Sequence, residues 1–329
     1  MIKQARFWIG IAISVACLAI VARGIDPQAV GKALVGVNYW WLLPALAIVP
    51  PTVYAKALRW RRLFRPRGGL RVAKLYSILM IGYLISSILP ARLGDPARAV
   101  LANQLENVRT AHALATVIIE RLLDVITLLV FLLLILPFVS LPEWLAGSAA
   151  VVGLGSVCGF AALLVLGRYR ERFLPAVGRW ATRVPRLRPE FVTTQLGYLL
   201  SGFDAFASAS NVLAIVGWSV AVWALSVVQN QLVLVAMGIQ VPPSAAVMVL
   251  VVNALGMLIP SSPGYIGVFH YLTVLTLGVF GVEKNLALSL AIVLHLITFI
   301  PLVLLGTVSL GQESLSFGRV SESASKLEG

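Results

Sequence analysis

VAKLYSILMIGYLISSILPARLGDPARAVLANQLENVRT, residues 72–110, is the stretch on which the reading of this chain turns. Its first half, up to Leu89, is apolar enough to enter a bilayer. Its second half sets Arg92, Asp95 and Arg98 among Pro90, Gly94 and Pro96. A charge at the centre of a membrane helix costs about 2.5–3.5 kcal/mol on insertion scales, so this second half cannot face lipid as an ordinary span. The flanks fix where the stretch begins and ends. Residues 59–71 hold six arginines and 168–190 hold seven basic residues, whereas 138–148 and 238–243 hold no Lys or Arg. The positive-inside rule makes the first two segments cytoplasmic and the other two external.

Composition places the whole chain in a bilayer. Of 329 residues, 59% are hydrophobic and only 12% charged, against about 25% charged in soluble domains. The mean hydropathy is +0.93. The formal charge of +13, from 26 basic and 13 acidic residues, would suggest nucleic acid in a soluble protein. Here the basic residues sit in short loops between apolar runs, as cytoplasmic loops beside anionic lipid do, and nucleic acid is excluded as a partner. Cys17 and Cys158 lie inside apolar runs without His or acidic neighbours at ligand spacing, so neither a disulfide framework nor a zinc site is expected. Lys3 and Arg6 ahead of the apolar run from Phe7 to Ala22 read as a retained signal anchor.

Apolar runs of crossing length fall at 7–22, 39–58, 113–137, 149–167, 211–237 and 285–310. With Lys3 and Arg6 inside, the second span returns to the cytoplasm at 59–71. The span 113–137 must also start inside, because it ends at the uncharged segment 138–148. Residues 72–110 therefore enter from the cytoplasm and return to it. A re-entrant hairpin with its tip at Pro90 to Pro96 satisfies that parity; two short full crossings would too, but the second half is too charged to face lipid. The same counting makes 244–282 a hairpin entering from outside, with its tip at Pro260 to Gly264.

The expected fold is an all-α integral membrane protein: a polytopic helix bundle of six full spans plus two re-entrant helix hairpins in inverted-repeat halves, 1–140 and 141–310. Both termini are cytoplasmic, the membrane is a bacterial-type inner membrane, and the polar, Ser-rich residues 311–329 form a disordered tail. A weak internal echo supports the two halves. Leu89-Pro90-Ala91-Arg92-Leu93-Gly94 aligns with Ile259-Pro260-Ser261-Ser262-Pro263-Gly264 at an offset of 170, which also carries the span start at 39 to 209. Transporters often contain such repeats, with broken helices meeting near the midplane where substrate binds. Residues 186–210 place apolar side chains at helical spacing, which predicts either an interfacial amphipathic helix or a helix packed under the bundle.

Three clusters can carry chemistry. In the first, Asp95 before Pro96 reads as an N-cap and first helical residue, and Arg92 and Arg98 supply forked donors for a phosphate or carboxylate. In the second, Glu120, Arg121 and Asp124 fall within one wedge of a helix at about 100° per residue, all able to face the bundle interior. The third, Ser261, Ser262, Gly264 and His270 with Pro260, Pro263 and Gly267, resembles the first tip without its charges. Ser262 reads as a cap, and Gly264 and Gly267 allow close helix approach. His270 fits a hydrogen-bonded interior histidine, and His295 likewise. The bland reading of the charges is a purely structural network, since three arginines and three carboxylates can neutralise one another.

The runs Leu89 to Arg98, Glu120 to Asp124 and Leu258 to His270, in this order and spacing, resemble the lysylphosphatidylglycerol synthase transmembrane-region family, and the likeness covers about residues 5–310. That resemblance implies a flippase-like domain that moves an anionic or zwitterionic phospholipid or a polyprenyl-linked lipid between leaflets. No soluble aminoacyl-transferase domain follows residue 310, so the chain is expected not to synthesise lysylphosphatidylglycerol and is read as a transporter rather than an enzyme. Asp95 stands where the family often has glutamate, a change that keeps the charge.

On this reading Arg92 and Arg98 hold the headgroup, while Glu120 and Asp124 orient those arginines or meet a cationic amine. Partners are membrane lipids, with a homo-oligomer or a cell-envelope biosynthetic enzyme as protein partner. No cofactor or metal is expected. The runner-up is an intramembrane transferase or phosphatase acting on a lipid phosphate, with Glu120 and Asp124 holding Mg²⁺. The third reading is a non-transporting partner of a cell-envelope enzyme, which predicts an occluded centre.

Overall fold

The computed structural model describes residues 2–65, 68–89, 93–139, 143–182, 188–257, 259 and 261–327. Arg92, Pro90 and Pro260 lie outside these residues. The described residues are helical throughout, with no strand. The order is α1 (Ile2–Ala22), α2 (Pro27–Val35), α3 (Tyr39–Ala47), α4 (Val49–Leu63), α5 (Val72–Ile88), α6 (Gly94–Glu106), α7 (Thr110–Ile135) and α8 (Glu143–Arg168). There follow α9 (Arg170–Ala181), α10 (Pro189–Ser201), α11 (Ala209–Ala236), α12 (Ser244–Gly256), α13 (Val268–Val279), α14 (Lys284–Gln312) and α15 (Phe317–Leu327).

Four helices are long and apolar enough to cross a bilayer: Tyr39–Leu63, Leu145–Arg168, Ala209–Ala236 and Lys284–Gln312. A fifth is reached if Trp8–Ala22 and Pro27–Val35, bent by 89°, count as one span. The chain is thus a multi-pass membrane protein with four or five such spans, coarser than the six expected. The difference lies partly in α7. At 26 residues it is long enough to cross, but Glu120, Arg121 and Asp124 interrupt its apolar character.

Both interrupted stretches fold as helix hairpins. α6 turns back onto α5 so closely that Gly94 packs on the Gly82 carbonyl and Ser86, with no room for a Cβ at position 94. The open ends of this pair are tied by Arg71, whose backbone N–H and Nε both reach the Glu106 carboxylate at 3.2 and 3.1 Å. α13 turns back onto α12, where Asn253 Nδ2 donates to Thr273 Oγ1 at 2.9 Å. Its turn needs two glycines at positive φ, Gly264 at 67° and Gly267 at 96°, where an L side chain is strained. A Cβ on Gly267 would also strike the backbone of Ser14. α1 runs beside this turn, and Ser14 Oγ accepts from the Ser262 backbone N–H at 2.9 Å.

Helix starts recur at a nearly constant offset along the chain. Ala209 stands 170 residues after Tyr39, Ser244 172 after Val72 and Lys284 174 after Thr110, the starts of corresponding helices. Packing crosses between halves in the same exchanged sense: α5 lies on α14, α12 lies on α7, and α4 lies on α11. Gly306 of α14 accordingly sits against Met80 and Leu84 of α5. The turn Pro263–Tyr265 then meets the end of α5 near the Ser87 carbonyl.

One local expectation is corrected, and one left open between two alternatives is resolved. Residues 311–329 are not a disordered tail as far as 327: α14 runs to Gln312, α15 follows, and Val320 is buried in the core beside α6. Glu313 is held by Lys74 Nζ at 2.5 Å. The segment 186–210 contains α10, which packs on α7 and is pinned there by His112 Nδ1 and Ser201 Oγ at 2.7 Å. Phe191 near its start is exposed, so the helix is both docked and surface-facing.

Candidate functional site

α7 crosses the centre, and its acidic residues collect arginines from two other helices. Arg59 of α4, fully buried, donates from Nη1 to Asp124 Oδ1 at 2.7 Å and from Nη2 to Glu120 Oε1 at 3.1 Å. Its Nη1 also lies 3.3 Å from Ser219 Oγ on α11. Arg98 of α6 donates from Nη2 to Glu120 Oε2 at 2.5 Å, and its guanidinium stacks over the Trp60 ring at 4.4 Å. Asp95 accepts from Arg121 Nε and Nη2 at 3.1 and 2.7 Å, a forked pair. Trp223 Nε1 adds a donor to Asp124 at 3.2 Å. Every carboxylate in this group is therefore occupied by a guanidinium, as burial requires, because an unpaired charge at this depth costs several kcal/mol.

Beside the network lies a cavity of about 260 Å³. Both halves contribute: Thr52 and Lys56 from α4, Tyr83, Ser86 and Ser87 from α5, Arg121 and Asp124 from α7, and Trp223, Gln229 and Asn230 from α11. Asn253 of α12, Tyr265 of the second turn, Phe269 of α13 and Thr298 and Phe299 of α14 close it. Its size is near the lower end of the roughly 300–1,000 Å³ usual for small-molecule pockets.

Lys56 sets the charge of this cavity. Its Nζ donates to Tyr83 Oη at 3.1 Å and lies 5.2 and 5.7 Å from the ring centres of Tyr83 and Trp223. It has no ion-pair partner among the described residues. Among the described residues, Lys56, Arg59, Arg98 and Arg121 thus face only Asp95, Glu120 and Asp124, and the positive charge left over is the one on the cavity wall. Arg121 also reaches the cavity, with its side chain 42% exposed and Nη1 unused by Asp95.

The sequence-predicted residues divide sharply. Asp95, Arg98, Glu120, Arg121 and Asp124 come together, but only Arg121 and Asp124 line the cavity. Arg98 is sandwiched between Trp60 and Glu120 with its side chain 2% exposed, so it does not present itself to a headgroup there. Arg92 lies outside the described residues. Asp95 is not an N-cap: Leu93 holds that position, and the Asp95 carboxylate is spent on Arg121. Ser262 precedes a three-residue turn rather than a helix, and its hydroxyl donates to the Ile266 carbonyl at 2.8 Å. His270 faces His295, ring centres 5.0 Å apart and stacked. Ser261, Ser262, Gly264 and His270 surround the second turn, whose contribution to the cavity is Tyr265.

Sequence reasoning missed Arg59 and Lys56. Arg59 was counted with the cytoplasmic arginines of 59–71, whereas α4 continues to Leu63 and carries it inside. The available signal was the spacing of Lys56 and Arg59, i and i+3, which puts both on one helix face. The amides of the run Gln229-Asn230-Gln231 and of Asn253, set between apolar residues, are an equally visible signal.

Comparison with known proteins places the chain among membrane proteins. Over 325 residues the chain is 24% identical to the glycosyltransferase AglD of Haloferax volcanii, covering 87% of this chain and 51% of that protein. It is 25% identical over 305 residues to a UPF0104 membrane protein of Methanothermobacter thermautotrophicus, covering 88% and 90%. The chain thus spans about half the length of the first relative and most of the second. No solved structure matches. The family model for the lysylphosphatidylglycerol synthase TM region matches residues 7–306, and the chain belongs to the lysylphosphatidylglycerol synthase transmembrane-region family.

Proposed function

We propose that the chain moves a phosphate-bearing lipid between bilayer leaflets, its headgroup passing through the central cavity while the acyl or prenyl chains stay in the membrane. The observation that carries this is Lys56, a cation without an acidic partner among the described residues, on the wall of a cavity lined by α5 and by Tyr265 of the second turn. On this reading the two hairpins are re-entrant and α7 completes a sixth crossing. A headgroup phosphate meets Lys56 and the spare Nη1 of Arg121, and the network behind them fixes Arg121 and Asp124 without competing for the ligand. Charge compensation favours an anionic headgroup, because every carboxylate nearby is already paired.

The transferase alternative fits less well. A Mg²⁺ ion on Glu120 and Asp124 would have to displace Arg59, which bridges both. The match to half of a protein named a glycosyltransferase favours a second reading, in which this region is the membrane part serving a glycosyl-transfer enzyme. Reconstitution separates the two. Purified protein in liposomes carrying trace fluorescent phosphatidylglycerol, phosphatidylethanolamine or phosphatidylcholine should expose inner-leaflet phosphatidylglycerol to an external quencher faster than protein-free vesicles do. It should do so with preference for the anionic headgroup. Equal traces with and without protein, for all three lipids and for a polyprenyl phosphate, would sink the transport reading.

A further inference from the structure

Resting on that transport reading, we infer that the cavity selects a headgroup combining a phosphate with hydroxyls, a polyol or sugar phosphate, with Lys56 meeting the phosphate and Asn253 the hydroxyls. Asn253 is 5% exposed and lines the cavity. Its Nδ2 donates to Thr273 Oγ1, and the Thr273 hydroxyl proton is already committed to the Phe269 carbonyl at 2.8 Å. Thr273 can therefore only accept, which fixes the amide orientation and leaves Asn253 Oδ1 buried with no donor.

The neighbouring amides repeat this arrangement. Gln229 Nε2 donates to Thr298 Oγ1 at 3.2 Å, while Thr298 donates to the Leu294 carbonyl. Asn230 Nδ2 donates to the Ala246 carbonyl at 3.2 Å. Each N–H side is turned to protein, and among the described residues no donor meets the carbonyl oxygen of Gln229 or Asn230. Asn253 Oδ1 calls for a donor, since a buried unpaired acceptor is costly, and the amides of Gln229 and Asn230 line the same cavity.

The donor can be a hydroxyl or an ammonium, and the charges decide between them. Asp95, Glu120 and Asp124 are all held by arginines, so no free carboxylate awaits an amine. An ammonium would share the cavity with Lys56 and find only neutral acceptors. A hydroxyl satisfies the same acceptors at no electrostatic cost. Trp223 and Tyr265 supply ring surface for the C–H faces of a polyol or sugar.

The test uses the full chain in phosphatidylcholine nanodiscs, titrated calorimetrically with short-chain lipids. Phosphatidylglycerol and phosphatidylinositol should bind about tenfold or more tightly than phosphatidic acid and phosphatidylethanolamine. A short prenyl phosphate hexose should show the same margin over the bare prenyl phosphate. Whichever hydroxylated series binds more tightly identifies the lipid source. Lys56→Gln should weaken every phosphate ligand by a similar factor, and Asn253→Ala should abolish the hydroxyl margin alone. Because Asn253 also holds Thr273, Gln229→Ala is the companion variant, with thermal melting to confirm that both fold.

Phosphatidylethanolamine or phosphatidic acid binding as tightly as phosphatidylglycerol would overturn the inference and leave transport standing. Retention of the full margin in both folded variants would overturn it too. Selective binding without any transport in liposomes would uphold this inference and refute the transport reading.

Discussion

Arg59→Met is expected to lower folding stability by about 3–5 kcal/mol, the usual cost of removing one partner from a buried ion pair. The guanidinium is fully buried and holds Asp124 and Glu120 at once, so its loss leaves Asp124 with only the Trp223 N–H and Glu120 with only Arg98. Methionine fills much of the volume, so the effect is electrostatic rather than a cavity. Thermal unfolding in detergent, followed by loss of the monodisperse peak, measures it. Adding Asp124→Asn should return part of the loss, with the double variant departing from additivity by about 0.5–3 kcal/mol. Arg59→Lys should fall between, since an ammonium cannot bridge two carboxylates with the spread of a guanidinium. A near-native melting temperature for Arg59→Met would mean that Arg59 is not the keystone of this network.

Lys56→Gln is expected to act on transport and leave the fold largely intact. Lys56 makes no ion pair among the described residues, and its one protein hydrogen bond, to Tyr83, can be kept by glutamine. A hydrogen bond to a charged group contributes about 1.5–3 kcal/mol, so the rate for phosphatidylglycerol should fall about tenfold or more. Movement of phosphatidylcholine, if any, should change little. Lys56→Arg should retain most of the activity. The measurement is the quencher-exposure rate at matched protein density, with circular dichroism and melting curves showing that the variant is folded. An unchanged rate for the anionic lipid would remove Lys56 from the headgroup path.

These two residues also show where sequence reading stopped. The parity of the basic loops, together with the charges at 92–98, points to a hairpin at 72–110, because charge in loops and apolar length are properties of the chain itself. The offset of 170 reappears between Tyr39 and Ala209, since both begin corresponding helices. Glu120 and Asp124 were legible because spacing on one helix is set by its pitch. Arg59 was not, because helix ends follow tertiary packing. An arginine at the end of an apolar run looks like a loop residue until a buried carboxylate from another helix is placed opposite it. Asp95 illustrates the converse: an Asp-Pro pair favours capping, but the pull of Arg121, 26 residues away, outweighs a local cap. The tail was misread for a related reason. One apolar side chain, Val320, finds a docking place beside α6 that composition cannot reveal.

The amides of the cavity were hidden in plain view. Gln229, Asn230 and Asn253 each interrupt an apolar run and each carry a desolvation cost that a purely structural helix would avoid. Only the structure brings α11 and α12 together around one cavity and shows that their N–H groups are spent on protein.

The central claim is that the cavity beside Lys56 receives a lipid phosphate. Structure determination of the full chain in nanodiscs containing phosphatidylglycerol tests it most directly. The account predicts phosphate density within hydrogen-bonding distance of Lys56 Nζ, with the glycerol against the carbonyl oxygens of Gln229, Asn230 and Asn253 and the acyl chains leaving toward the bilayer. Lipid density confined to the outer surface of the bundle, with the cavity empty at saturating lipid, would contradict it.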